Sequence, residues 1–156
     1  MKEYERTGII GMEELDIPSE EQLERGVAIT ECVQDIPCNP CVDACPVGAI
    51  SMETINSPPV VDYDRCTGCA RCVAVCPGLA IFVVKKEEGR ALITIPYEFL
   101  PLPEKGDIVR ALDREGNDVG DAEVVRVVRK KDSTCLVTVG VKRKLAMVVR
   151  NVRVRR

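Results

Sequence analysis

The chain has 156 residues, 46% hydrophobic and 30% charged, with a net charge of −3: room for one ordinary domain or two small ones sharing a core, and too apolar for a disordered chain. It has no His and no Trp, which excludes imidazole ligands, His-based triads and Rieske centres and leaves little stacking surface for nucleic acid. No apolar run approaches the roughly 18 residues of a membrane span, and the acidic start lacks a signal-peptide pattern, so a cytoplasmic protein without a membrane span is expected.

Charge changes sign along the chain: −7 over residues 1–37, −1 over 38–90 and +5 over 91–156. An acidic lead, a cysteine-rich middle and a basic end imply three regions: 1–26, 27–84 and 85–156. The lead reads as a loosely packed arm. Within it, Ser19 and Gln22 have capping-box spacing, which predicts a short helix over Glu20–Arg25 ended by Gly26. Val27-Ala28-Ile29 then reads as a strand entering the cysteine region.

The middle holds an internal repeat. A shift of 31 carries Cys38, Cys41, Cys45, Pro46, Ala49 and Ile50 onto Cys69, Cys72, Cys76, Pro77, Ala80 and Ile81. Each half reads as a strand, a cysteine loop, a helical turn ending at Cys-Pro and a second strand. Neither half buries its apolar face alone, so a pseudo-twofold pair is expected.

The last region is strand-like almost throughout. Ile81–Val84 and Ala91–Ile95 flank Lys-Lys-Glu-Glu-Gly as a hairpin, and further runs follow at Ile108–Leu112, Val124–Val128, Leu136–Val141 and Leu145–Val154. Turn signals at Glu115-Gly116-Asn117 and Lys131-Asp132-Ser133 separate them at intervals that suit a small antiparallel barrel or sandwich. The basic end (Lys142, Arg143, Lys144, Arg150, Arg153, Arg155 and Arg156) admits three readings: a solvated edge strand, a docking patch for an acidic partner, or a nucleic-acid surface. Net charge, sparse aromatics and the acidic lead argue against the last.

Nine clustered cysteines without a secretory signal point to metal, and without imidazole an all-thiolate site favours iron–sulfur clusters or zinc bound by four Cys. Spacing separates the two. Cys66, Cys69, Cys72 and Cys76-Pro77 form a complete C-x2-C-x2-C-x3-C-P run, whose fourth Cys is directed to a second cluster. Zinc ribbons use two C-x2-C pairs set well apart. Cys135, alone in a β run, reads as a small buried hydrophobe.

On these motifs residues 27–84 resemble the bacterial-type two-cluster [4Fe–4S] ferredoxins. The resemblance implies an α+β fold: a ferredoxin-like pseudo-twofold module between the arm and the β module. It assigns Cys66, Cys69, Cys72 and Cys45 to one [4Fe–4S] cluster and Cys38, Cys41 and Cys76 to the other. The first half departs from the pattern, because Asp35 stands where Cys66 stands in the second. Three outcomes compete: Cys32 ligates through a longer loop, Asp35 ligates by oxygen, or the corner is empty and the cluster is [3Fe–4S]. So few residues with so few aromatics bury too little apolar area to fold securely, so the clusters are expected to act as the core and the iron-free segment to unfold.

The sequence has no phosphate loop, nucleophile–base pair or dinucleotide fingerprint, so an electron relay without a catalytic site of its own is expected. The arm and β module exceed a bare carrier and read as docking surface. The chain further resembles the small iron–sulfur subunits of flavin-dependent dehydrogenases of the dye-linked proline or hydroxyproline, amine or glycerol-phosphate type. This resemblance rests on "ITECVQDIPCNPCVDACPVGAI" and the overall layout, and implies FAD- or FMN-containing partner subunits. The alternatives are a free ferredoxin-type carrier and a nucleic-acid-binding protein with a structural metal.

Overall fold

The computed structural model describes residues 1–131 and 134–155. The acidic lead forms α1 (Glu3–Thr7), a 3-10 turn at Met12–Glu14 and α2 (Glu20–Arg25). The capping box closes as its spacing predicts: Ser19 Oγ accepts the Gln22 N–H at 3.2 Å, while the Gln22 side chain accepts the Ser19 N–H at 2.9 Å. The lead is docked rather than loose. Leu23 is buried, the Tyr63 hydroxyl donates to the Asp16 carbonyl at 2.7 Å, and Lys86 and Arg143 each reach Glu20 at 2.8 Å.

The cysteine region contains β1 (Val27–Thr30), α3 (Pro40–Ala44), β2 (Ile50–Ser51), β3 (Val60–Val61) and α4 (Arg71–Val75), and leads into β4 (Ile81–Glu87). The two helices lie one repeat apart, and so does a contact that ends each of them. Ala49 N–H donates to Cys45 Sγ at 3.2 Å, and Ala80 N–H to Cys76 Sγ at 3.4 Å. β1 pairs antiparallel with β4, and β2 with β3. Each half therefore supplies one strand to each ladder and closes neither by itself.

β4 continues into β5 (Arg90–Tyr97), followed by β6 (Ile108–Leu112), β7 (Asp118–Val128), β8 (Cys135–Lys142) and β9 (Asn151–Arg153). The sheet runs β1-β4-β5-β8-β7-β6-β9, with every neighbouring pair antiparallel. The boundary expected between residues 84 and 85 falls inside β4, which pairs with β1 up to Val84 and with β5 from Val83 onwards. The cysteine region and the β region share one sheet. Its core is set by alternation: Ala91, Ile93, Ile95 and Tyr97 of β5 and Val137, Val139 and Val141 of β8 are all buried.

Three details differ from the sequence expectation. The hairpin loop shrinks to Glu88-Gly89, with Gly89 at φ +76° and Glu87 opposite Arg90, so Lys85–Glu87 are strand. The run Leu145–Val154 is strand only over Asn151–Arg153. Before that the chain coils, because the Ala146 and Val149 carbonyls turn onto the Arg150 guanidinium at 3.0 and 2.7 Å instead of joining a ladder. The basic end is also largely neutralised: Arg143 pairs with Glu20 and Glu24, Arg150 with Glu31, Arg153 with Asp118 and Arg155 with Asp121. The turn signal at Asp132-Ser133 and residue Arg156 lie outside the described residues.

Candidate metal centre

Cys32, Cys38 and Cys41 of the first half and Cys76 of the second line one cavity, closed by Pro59 and Ile81. Cys32 and Cys38 come from the loop after β1, Cys41 from α3, and Cys76 from the end of α4. Burial, then Cys76 and Cys38, push Cys32 up, and burial and Cys76 do the same to Cys41. Asp35 is exposed and does not line the cavity.

Cys66, Cys69 and Cys72 form a second group. Cys72 is pushed up to about 12 by burial, then by Cys66 and Cys69. Cys66 Sγ accepts the Ala28 N–H at 3.3 Å, so the start of β1 holds a thiol of the other half. The loop between these cysteines turns through Gly68 at φ +68° and Ala70 at φ +64°. A Cβ on Gly68 would stand 2.9 Å from the Gly26 carbonyl oxygen. Gly68→Ala should therefore cost about 1–3 kcal/mol, measured as a lower unfolding midpoint of the holoprotein with faster loss of iron to a chelator. Cys45 ends α3, which packs on α4. Burial opposes its ionisation, but N–H groups from Ala49, Val47, Ile50 and Gly48 outweigh that and set it below an ordinary thiol. Cys135, opposite Tyr97 across the β5–β8 ladder, belongs to neither group.

The donor set fits a thiophilic polynuclear centre: four thiols ring one space, three more gather beside it, and backbone amides are aimed at the sulfurs of Cys45, Cys66 and Cys76. Among the described residues no three Cys, Asp or Glu side chains converge closely enough to hold one ion. A lone tetrahedral zinc would need sulfurs about 4 Å apart.

One feature escaped the sequence. Glu31, next to Cys32, is buried at 7% exposure, as is Arg150 at 6%. Arg150 Nε donates to Glu31 Oε1 at 2.8 Å, and Arg114 Nε to Glu31 Oε2 at 3.1 Å. Arg114 also donates to the Met147 carbonyl at 2.7 Å, and the Arg150 guanidinium lies 5.3 Å over the Phe82 ring. Burial pushes the Glu31 carboxyl up, but the two arginines outweigh it and hold it below the ordinary carboxylate range. The reading of Arg150 as part of a surface basic end is therefore corrected. An acid immediately after the strand Val27–Thr30, two positions beyond the buried Ile29, was the available signal.

Two domain families match the chain: a 4Fe-4S dicluster domain over residues 31–80 and a 4Fe-4S single cluster domain over residues 60–127. The chain carries [4Fe–4S] ferredoxin-type domains. The dicluster match begins at Glu31 and ends at Ala80, the two residues joined by a backbone hydrogen bond of 2.7 Å. Among curated relatives, the polyferredoxin-like subunit of an aliphatic sulfonate oxidoreductase from Pyrococcus furiosus is 45% identical over 47 residues, 30% of this chain and 27% of that protein. A sulfite dehydrogenase subunit from Allochromatium vinosum is 47% identical over 38 residues, 24% of this chain and 16% of that protein. An uncharacterized ferredoxin of Methanocaldococcus jannaschii is 43% identical over 59 residues, 38% of each chain. The chain thus spans well under half the length of these relatives. No solved structure matches it significantly. No helix among the described residues is long and apolar enough to cross a membrane.

Proposed function

We propose that this chain is the electron-relay subunit of an oxidoreductase complex and holds two [4Fe–4S] clusters. Cys32, Cys38, Cys41 and Cys76 bind one, and Cys45, Cys66, Cys69 and Cys72 bind the other. The observation that carries this reading is the cavity in which three thiols of the first half meet Cys76 of the second. The dicluster match over residues 31–80 supports it. Such centres supply one-electron redox chemistry at potentials set by hydrogen bonds, burial and net charge. The chain contributes the thiolates, the N–H groups of Ala28, Ala49 and Ala80 that stabilise negative sulfur, and an apolar wall against water.

The fold is an α+β ferredoxin-like two-cluster module continued by a β-rich docking module, and the partner is a flavin-containing dehydrogenase subunit. Relatives named as subunits of a sulfonate oxidoreductase and a sulfite dehydrogenase support the assembly in kind. Iron and acid-labile sulfide, measured on protein purified without oxygen, test the cluster content. About eight iron atoms per chain are expected. Cys32→Ala should lose iron from the first centre, whereas Asp35→Ala should keep all of it. A colourless protein holding zinc would overturn the reading; iron lost on Asp35→Ala instead would replace Cys32 as the ligand. Affinity purification of the tagged chain without oxygen, followed by mass spectrometry of what co-elutes, should yield a complex with flavin absorbance, and a chain that elutes alone would point to a free carrier.

A further inference from the structure

Of the nine cysteines only Cys69 is exposed. The groove beside it runs from the Gly68–Arg71 loop to the end of β7, and the Thr94–Thr138 hydroxyl pair, 2.8 Å apart, lies along it. Arg71, Arg126 and Lys130 line the groove, and no carboxylate does. All three are exposed, and among the described residues none forms an ion pair. The contrast with the end of the chain is informative: there Arg143, Arg150, Arg153 and Arg155 are each matched by Asp or Glu. Uncommitted basic charge is therefore grouped beside the most accessible thiol.

We propose that this groove docks an acidic patch on the protein that exchanges electrons with the centre held by Cys66, Cys69 and Cys72. The proposal rests on the relay reading above and names the face at which the relay is entered or left. Electron tunnelling falls steeply with distance, so a partner has to meet the face where the centre lies nearest the surface. A chain with net charge −3 repels an acidic partner at long range, and a local basic groove overcomes that repulsion and fixes orientation. Each encounter moves one electron, oxidising the donor and reducing the acceptor by one, with no bond made or broken. The partner is thus an acidic one-electron redox protein. In the basic end, the other docking candidate, Arg143, Arg150, Arg153 and Arg155 are already engaged.

The test uses anaerobic holoprotein carrying Arg126→Glu and Lys130→Glu, two exposed positions on the β7 side of the groove, outside the cysteine loop. Iron content and the visible spectrum are measured first. The dithionite-reduced protein is then oxidised in a stopped-flow instrument by anionic ferricyanide or by cationic hexaamminecobalt(III). The variant should react about tenfold more slowly with ferricyanide and faster with the cobalt complex, and both differences should collapse at high salt. Arg153→Glu with Arg155→Glu, at the far edge of the sheet, changes net charge equally and should shift neither rate comparably. Poly-L-glutamate should slow ferricyanide oxidation of the unmodified holoprotein and lose that effect in the groove variant. Rates unchanged in a fully iron-loaded groove variant, or polyglutamate inhibition that survives the reversal, would overturn the docking proposal alone. Absence of iron from the unmodified protein would instead overturn the relay reading beneath it.

Discussion

Stripping iron from anaerobic holoprotein with a chelator should erase slow amide exchange across residues 32–79 while leaving β4 to β8 protected. The elements in that segment are too small to persist alone: α3 and α4 have five residues each, and β2 and β3 two each. A helical nucleus costs more than so few hydrogen bonds return, and a two-residue ladder adds little. Without metal the buried Cys72 stays a neutral thiol, its ionisation pushed up to about 12 by burial and by Cys66 and Cys69. Metal binding displaces such protons, so its free energy is also folding free energy, and chelation removes both. The structure narrows the expectation drawn from sequence, in which all of residues 27–84 would unfold. β4 is bonded to β5 on its second side, whereas β1 is bonded only to β4. Exchange measured on proteolytic fragments should thus show protection lost in the loops and both helices, weakened in β1 and retained in β4. Ferrous iron and sulfide, added back, should restore the pattern. Unchanged protection across residues 32–79 in iron-free protein would mean that the fold does not depend on the centres.

What was legible in the sequence was local or repeated. Ser19 and Gln22 announce α2 because a capping box acts within one turn. The shift of 31 places α3, α4 and the paired Cys45–Ala49 and Cys76–Ala80 contacts because both halves solve the same packing problem. β5 and β8 follow from β-branched runs at Ala91–Ile95 and Leu136–Val141. What escaped was tertiary and polar. Arg150 looks like one more cation of a basic end, and nothing nearby reveals that its partner stands 119 positions earlier. Leu145–Val154 has the composition of a strand but coils before Asn151, because the Ala146 and Val149 carbonyls turn onto that same guanidinium. The grouping of Arg71 with Arg126 and Lys130 depends on α4 lying against β5 and β8, which no period in the sequence encodes.

Glu31→Gln should destabilise the holoprotein by about 3–5 kcal/mol, the cost of leaving a buried charge without its partner. Arg150 dominates that cost. Burial and Arg114 push its guanidinium down, and Glu31 is what holds it up. Both arginines keep carbonyl partners, but the Arg114 side chain is 13% exposed and has a way out to water that Arg150, at 4%, lacks. The effect should extend to the metal because Glu31 adjoins Cys32: with the carboxylate gone, the Cys32 loop loses its anchorage to residues 114 and 150. Iron at the first centre should then be removed by chelator before iron at the second. Charge burial and loop positioning separate in Glu31→Leu combined with Arg150→Met, which leaves no deeply buried ion unpaired. Most of the lost stability should return in that protein, read as the denaturation midpoint, while the first centre stays more labile than in the unmodified chain. Equal lability of the two centres in both variants would reduce Glu31 to a structural ion-pair partner with no hold on Cys32.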